Sequence, residues 1–119
     1  MEIRFEMIDD VLISILSGEL DHHSSGEIRE NIDETYRAFK AKHMILSFEE
    51  LTFMDSSGIG LIMGRYNKVR EKNGKIAIIG CNEHILRILE LAGIYTIARC
   101  YPDLKEALTA LEYTEEEEI

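Results

Sequence analysis

Apolar residues recur along this chain with two different periods, and the periods predict a series of strands and helices. Residues 2–8 (EIRFEMI) are apolar at every second position, which is typical of a half-exposed strand. Residues 11–16 (VLISIL) form the more continuous apolar run of a strand that is covered on both faces. Because only Asp9 and Asp10 separate the two segments, we expect an antiparallel hairpin.

Helix-period segments then alternate with three further apolar runs, at residues 43–49, 75–80 and 96–101. The apolar stripes of four helices are predicted to be Ile28, Ile32, Tyr36 and Phe39; Ile59, Ile62, Met63, Tyr66 and Val69; Ile85, Ile88, Leu89 and Ala92; and Leu104, Ala107, Leu108 and Leu111. Strands joined through helices pair in parallel, with right-handed crossovers. The order β-β-α-β-α-β-α-β-α therefore predicts a single α/β domain, in which four helices pack against a mixed, mostly parallel β-sheet.

The helix ends carry local signals of their own. A capping box formed by Ser24 and Glu27 is predicted to begin the first helix, and Asn82 to cap the third. The second helix is predicted to end near Asn73-Gly74 and the third at Gly93. Pro102 is predicted to lie in the first turn of the last helix.

The composition narrows the class of partner. Of the 119 residues, 45% are hydrophobic, and 23 acidic against 13 basic side chains give a net charge of −10. This charge repels phosphate backbones and anionic lipids, so we expect no direct binding of nucleic acid or membrane and favour a protein partner with basic residues. The run EEEEI (115–119) divides the chain into a domain, 1–112, and an acidic tail, 113–119, expected to be solvated and frayed.

The expected location is the cytoplasm. The chain starts without the basic and apolar segments of a signal peptide, and no apolar run approaches the roughly 20 residues of a membrane helix. The two cysteines, Cys81 and Cys100, lack the close spacing of a metal site and are predicted to be reduced thiols.

Two polar segments follow the second and third strands, where sites in open α/β sheets gather. They are GELDHHSS (18–25) and MDSSG (54–58), and if their strands are neighbours, Asp21 and Ser56 lie at one edge of the molecule. MDSSG has two interpretations. In the first it is a capped turn in which Ser56 or Ser57 accepts an amide hydrogen bond. In the second one hydroxyl is a phosphoacceptor, the helix start offsets the phosphate charge, and Gly58 allows close approach from outside.

Other kinds of site are less well supported. The four histidines lack zinc-like spacing, so no metal is expected, and a hydrogen-bonding role is predicted for His22 or His23. A hydrolase would need a glycine two residues before its nucleophilic serine, which MDSSG lacks. No glycine-rich phosphate loop is present, and no cofactor is expected.

A receiver domain phosphorylated on Asp55 is a rival from another signalling class. Asp55 follows a central strand, and Asp9 and Asp10 would supply an acid pair. The last predicted strand, however, carries Arg99 where such a domain needs a lysine.

Four blocks, in order and at suitable spacing, carry a resemblance to a known family. They are SGELDHH (17–23), LTFMDSSGIG (51–60), GRY (64–66) and LRILELAGI (86–94). On these blocks the chain resembles the anti-sigma factor antagonists of spore-forming bacteria, the SpoIIAA type, which belong to the STAS domain family. The resemblance extends from about Ile3 to Leu111. It implies that Ser56 is the phosphorylated residue and that Asp21 belongs to the surface that meets the anti-sigma factor.

The same resemblance implies a regulatory binding protein and not an enzyme. The unmodified chain would bind an anti-sigma factor that is also a serine kinase, and the sigma factor would be released. The kinase would use its own ATP to phosphorylate Ser56 and so end binding, and a serine phosphatase would restore the serine. An alternative within the family is a STAS regulator of another partner, of the stress-response type.

The predicted partner surface combines both polar segments. Its residues are Asp21, His22, Asp55, Ser56, Ser57, Gly58, Ile59 and Gly60. Ile59 is expected to protrude beside Ser56, whereas Leu61 and Leu86 fall off their helical stripes and are candidate exposed anchors. Close packing inside the domain is the expected role of Gly64.

Overall fold

The chain folds into a five-stranded mixed sheet with helices on both faces. The computed structural model describes the backbone of residues 1–117 and the side chains of residues 1–112. Its elements are β1 (Glu2–Ile8), β2 (Val11–Leu20), α1 (Ser25–Ala38), β3 (His43–Met54), α2 (Ser57–Arg70), β4 (Ile76–Ile79), α3 (Glu83–Leu91), a 3-10 helix (Ile94–Thr96), β5 (Arg99–Tyr101) and α4 (Leu104–Glu117). This series confirms the predicted order of strands and helices.

The last helix crosses the predicted boundary between domain and acidic tail. α4 continues to Glu117, five residues beyond Glu112. The side chains of 113–119 and the backbone of 118–119 lie outside the described residues, so the frayed tail stays a prediction. None of the helices within the described part of the chain has the length and apolar character needed to cross a membrane.

The strands are ordered β1-β2-β3-β4-β5 across the sheet. β1 pairs with β2 antiparallel, and all other neighbours pair in parallel, because each is reached through a helix. Asp9 turns the hairpin with a φ of 51°. The carbonyl of Asp10 accepts the amides of Lys42 and His43 at 2.8 and 3.0 Å, which holds the start of β3 beside the hairpin turn.

β2 and β3 are both longer than their apolar runs predicted. They stay paired from Val11↔His43 to Leu20↔Met54, across two register shifts. β4 pairs with β3 only along Met44–Ser47. The end of the β2–β3 pair therefore projects beyond β4 as a two-stranded ribbon, and the polar segments follow directly from its tip.

An exposed side-chain network spans the base of this ribbon. Nη1 and Nη2 of Arg4 donate to the carboxylate of Glu50, at 3.1 and 2.8 Å, and the hydroxyl of Ser17 donates to the same carboxylate at 2.6 Å. These hydrogen bonds lower the pKa of Glu50 to about 2, and those from Arg4 have the largest effect. The network therefore connects β1, β2 and β3 at the base of the ribbon.

The two faces of the sheet bury separate apolar clusters because strand side chains alternate between faces. One face packs against α1, α2 and α3, with Leu12, Leu16, Met44, Leu46 and Ile78 among its strand residues. The other packs against α4, and its buried members are Val11, Ile13, Ile45, Ala77, Ile79, Ala107 and Leu111. Three helices thus cover one face and one helix covers the other.

The helical stripes were predicted correctly in part. Phe39 lies one residue beyond the end of α1 and is 62% exposed, so its assignment to the core was wrong. Met63 is 50% exposed, whereas Leu61 is 3% exposed, which reverses both predictions for α2. The buried face of α2 contains Gly58, Leu61, Ile62, Arg65 and Val69. This stripe is rotated from the predicted one. The apolar pattern did not indicate it, because the stripe includes the charged residue Arg65. Ala92 follows α3 and is exposed.

The signals at the helix ends also gave mixed results. The side chain of Asn82 accepts the amide of Ile85 at 2.9 Å, and Gly93 adopts a left-handed φ of 71° after α3, so both predictions are confirmed. α2 ends at Arg70, before Asn73-Gly74. Pro102 lies outside α4, whose first turn is held by the amide of Glu106 donating to the carboxylate of Asp103 at 2.9 Å.

Candidate functional site

The two polar segments meet at the tip of the β2–β3 ribbon. Leu20 and Met54 are the last paired residues, and the amide of Asp55 donates to the carbonyl of Leu20 at 3.2 Å. Asp21 and Asp55 therefore follow neighbouring strand ends. This confirms the prediction that Asp21 and Ser56 lie at one edge of the molecule.

The turn into α2 is held by Asp55. Its carboxylate accepts the amide of Ser57 at 2.8 Å, and its carbonyl accepts the amide of Gly58 at 3.0 Å. The bond from the Ser57 amide is the main reason that the pKa of Asp55 lies below its usual value, with further bonds from the Ser57 side chain and the His22 backbone. The predicted serine cap is therefore wrong, since a carboxylate binds this amide.

The two serines of MDSSG have different surroundings. Ser57 is half-buried, and its amide donates to the carboxylate of Asp55 at 2.8 Å. Ser56 is exposed and occupies the N-cap position of α2, where its side chain makes no capping hydrogen bond. Ser56 is therefore the more accessible serine of the pair. The spacing of the motif could not distinguish these two serines, because both stand beside the same carboxylate in the sequence.

The Asp21 loop is built by a similar arrangement. The Asp21 carboxylate accepts the amides of Ser24 and His23, at 3.0 and 2.9 Å, and these bonds, that of Ser24 first, lower its pKa. The Ser24 hydroxyl donates to the carbonyl of Glu19 at 2.9 Å and makes no cap bond to α1, so the predicted capping box with Glu27 is wrong. The rings of His22 and His23 are exposed and meet edge to face, with centroids 5.8 Å apart. Two carboxylates thus hold the two loops and leave negative charge at the ribbon tip, where Ser56 also lies.

The first turn of α2 contains two glycines with different roles. Gly58 is buried, and a Cβ there would overlap the side chain of Met54, so the prediction that it clears space for a partner is wrong. Gly60 is exposed, and a Cβ there would meet nothing within 4 Å, which leaves room for an external group. Ile59 is half-buried against the main core, so it protrudes less than predicted.

Gly64 was expected to be closely packed, but a Cβ there would also meet nothing within 4 Å. This provides a matched pair for a stability prediction. Both replacements add one methyl group to α2, and only the methyl group at residue 58 would overlap Met54. We expect Gly58→Ala to be about 1–3 kcal/mol less stable than Gly64→Ala in urea unfolding followed by circular dichroism. Equal midpoints for the two variants would contradict the packing described for Gly58.

A small cavity lies between the starts of α1 and α2, beside the serines. It has a volume of about 240 Å³ and is lined by Ser25, Arg29, Ser57, Gly60 and Leu61. A cavity of about 640 Å³ lies at the other edge of the sheet, where Ile76 begins β4. The cavity beside the serines is the smaller of these two.

A buried ion pair joins the two helices behind this surface. Arg65 on α2 is 3% exposed, and its Nε lies 2.9 Å from Oδ1 of Asp33 on α1. The two groups attract each other by charge, because Nε of Arg65 and Oδ1 of Asp33 are not aligned for a hydrogen bond. Nη1 of Arg65 also has no hydrogen-bond partner among the described residues. Burial lowers the pKa of Arg65, and the charge of Asp33 opposes that effect. Sequence reasoning missed this pair because an arginine on a helix is ordinarily exposed.

The comparisons with known proteins agree with this geometry. The STAS domain family model matches residues 2–107. An anti-sigma F factor antagonist from Paenibacillus polymyxa is 41% identical to this chain over 112 residues, which cover 94% of this chain and 96% of that protein. An anti-sigma-B factor antagonist from Listeria monocytogenes is 24% identical over 82% of this chain and 83% of its own length.

Solved structures of SpoIIAA match in two chemical forms. The anti-sigma factor antagonist SpoIIAA in its unphosphorylated form matches with a TM-score of 0.71 and 25% identity, over 92% of this chain and 96% of that chain. The phosphorylated form matches with the same TM-score and 27% identity, over 92% and 98% of the two chains.

Proposed function

The chain belongs to the STAS domain family, and from this membership we propose that it is an anti-sigma factor antagonist that works by partner switching. The unphosphorylated chain binds an anti-sigma factor that has serine kinase activity, and the sigma factor is released. Phosphorylation of Ser56 ends this binding, and a serine phosphatase restores it. The observation that carries the proposal is the exposed, unbonded hydroxyl of Ser56 between the two acidic loops.

The position of Ser56 supports its role as the phosphoacceptor. Ser56 is exposed and so accessible to an enzyme, whereas Ser57 is half-buried. A phosphate adds a charge of about −1.5 to −2, and the partial positive charge at the start of α2 offsets part of it. The fold can therefore accept the modification at this residue.

The proposed partner surface is the ribbon tip together with the first turn of α2. It contains the loop residues Asp21 and His22, the exposed Ser56 and Gly60, and the half-buried Ile59. Asp21 and Asp55 are held as carboxylates by backbone amides, so the surface is negative before any modification. A partner with basic residues at its contact surface complements this charge.

The division of labour between the two proteins follows from the same charges. Carboxylates on both sides of Ser56 disfavour the phosphates of ATP, so we assign the nucleotide and its magnesium ion to the kinase partner. The Ser56 hydroxyl has no base bonded to it among the described residues, which favours a substrate serine over a catalytic one. The chain acts as a regulator and kinase substrate, in the cytoplasm where sigma factors work.

We propose that the phosphate acts locally, by repulsion at the interface. A doubly negative group beside Asp21 and Asp55 must lose water when a partner covers it, and burying an uncompensated charge costs several kcal/mol. The chain matches both the unphosphorylated and the phosphorylated form of SpoIIAA over 92% of its length, so its fold is compatible with either chemical form. Backbone NMR shifts of the two forms of this chain should differ around residues 20–26 and 53–62 and agree elsewhere.

The remaining candidates are less well supported. The identity of 41% with an anti-sigma F relative, against 24% with an anti-sigma-B relative, favours the sporulation type over the stress-response type. A receiver domain needs its acid pair beside the phosphorylated aspartate. Asp9 and Asp10 lie at the start of β3 and Asp55 at its end, twelve strand residues or roughly 35 Å away.

Phosphate mapping with the cognate anti-sigma kinase tests the proposal. The wild-type chain is incubated with the kinase, magnesium and ATP, and the phosphate is located by mass spectrometry. We expect one acid-stable phosphate on Ser56, full modification of Ser57→Ala, and none of Ser56→Ala. A phosphate on Ser57, or an acid-labile one on Asp55, would contradict the assignment.

A further inference from the structure

The two cysteines of the chain meet at the edge of the sheet, far apart in sequence but not in space. Cys81 follows β4 and Cys100 lies in β5, and their Sγ atoms are 3.1 Å apart. Both side chains are half-buried against the main core, and neither thiol is part of a disulfide. The chain contains no other cysteine, so neither thiol has a competing partner within it.

The backbone is shaped to bring them together. Cys100 pairs with Ile78 in the β4–β5 ladder, three residues before Cys81. Gly80 adopts a left-handed φ of 73°, and its amide donates to the carbonyl of Tyr101 at 3.3 Å, so the chain turns back towards β5 at this residue. A Cβ at Gly80 would also overlap the side chain of Glu49, so the turn depends on glycine.

We propose that Cys81 and Cys100 form a redox-sensitive modification site that closes to an intramolecular disulfide when a low-molecular-weight disulfide, such as oxidised glutathione, serves as the oxidant. The two thiols lose two electrons and two protons, and one oxidised glutathione is reduced to two molecules of glutathione. The sulfur atoms must approach by about 1 Å to reach the bond length of about 2.0 Å. The half-exposure of both side chains gives the oxidant access.

The contact between the two sulfur atoms allows either thiol to react first. Either sulfur can be the donor of the hydrogen bond that joins them at 3.1 Å. The thiolate form of one cysteine attacks oxidised glutathione, forms a mixed disulfide and releases one glutathione. The second thiol then loses its proton and attacks the sulfur of the first cysteine, which breaks the mixed disulfide and releases the second glutathione.

The disulfide would close a segment that contains α3 and the 3-10 helix. The two cysteines are 19 residues apart, and Ile85, Leu89 and Ile94 of the segment between them lie in the main core. Closing such a loop restricts the unfolded chain and stabilises the folded one. The oxidised protein is therefore expected to unfold at a higher temperature than the reduced protein.

Peptide mass mapping of the full-length chain tests this proposal. The reduced protein is incubated with excess oxidised glutathione, the remaining thiols are alkylated, and the digest is analysed without reductant. We expect loss of both free thiols, a linked pair of peptides that contain Cys81 and Cys100, and full reversal by dithiothreitol. Cys81→Ser and Cys100→Ser serve as controls, since each should stop at one bound glutathione.

Thermal unfolding provides a second readout. Treatment with oxidised glutathione should raise the unfolding temperature of the wild-type chain. The same treatment should not raise the unfolding temperature of Cys100→Ser by a comparable amount. The proposal is overturned if the wild-type chain ends with two bound glutathiones, if it forms only disulfide-linked dimers, or if it stays reduced. These outcomes are independent of the phosphorylation of Ser56.

Discussion

Replacing Ser56 with aspartate is expected to weaken binding to the anti-sigma factor by about 10- to 100-fold, which corresponds to roughly 1.4–2.8 kcal/mol. The new carboxylate would stand beside Asp21 and Asp55 in a surface that the partner covers. An authentic phosphate carries up to twice the charge, and a complete switch from bound to free requires roughly 5.5 kcal/mol. Isothermal titration calorimetry of Ser56→Asp, and of the enzymatically phosphorylated chain, would measure both steps.

The control variants test whether weaker binding depends on where the new negative charge lies, or only on the added charge itself. Thr109→Asp adds the same charge on the exposed face of α4 and should bind like the wild type. Ser56→Ala should also bind, because the hydroxyl makes no capping bond that the fold needs. Aspartate is a favourable residue at a helix start, so circular dichroism should show that Ser56→Asp stays folded. Unchanged affinity of Ser56→Asp would defeat the electrostatic explanation of the switch.

Replacing Asp33 with asparagine is expected to destabilise the fold by about 3–5 kcal/mol, the usual cost of leaving a buried charge without its partner. Arg65 is 3% exposed, and Asp33 is the carboxylate paired with it. The asparagine keeps the shape of the side chain and removes its charge. Urea unfolding followed by circular dichroism measures the loss, which is a large part of the 5–15 kcal/mol typical of a domain.

Two further variants test whether the effect belongs to the ion pair. Glu34→Gln removes a charge from the adjacent, exposed position of α1 and should change stability by less than about 0.5 kcal/mol. The double variant Asp33→Leu with Arg65→Met replaces both charges by apolar groups and should recover most of the lost stability. If Asp33→Asn and Glu34→Gln have equal stability, the pair does not hold α1 against α2.

The ion pair also bears on the site, because α1 follows the Asp21 loop and α2 begins at Ser57, directly after Ser56. Fixing the two helices against each other fixes the two loops at the ribbon tip. We therefore expect the proposed partner surface to be rigid before binding, which suits a switch that depends on one charge.

Much of the fold could be predicted from the order of apolar periods alone. A run such as VLISIL needs cover on both faces, and three strands reached through helices must pair in parallel. The same reasoning located the two polar segments at strand ends, and so placed Asp21 near Ser56. These results depend only on local spacing and on chain connectivity, which a sequence displays directly.

The tertiary structure decided the features that depend on which groups meet. It showed that Ser56 is exposed whereas Ser57 is half-buried. It showed that the buried face of α2 includes Leu61 and Arg65, because Asp33 on α1 compensates the buried charge of Arg65. It also brought Cys81 and Cys100 to 3.1 Å across two strands. Periodicity records which residues avoid water, whereas hydrogen bonds, ion pairs and thiol contacts join residues distant in sequence, and only the folded chain sets those distances.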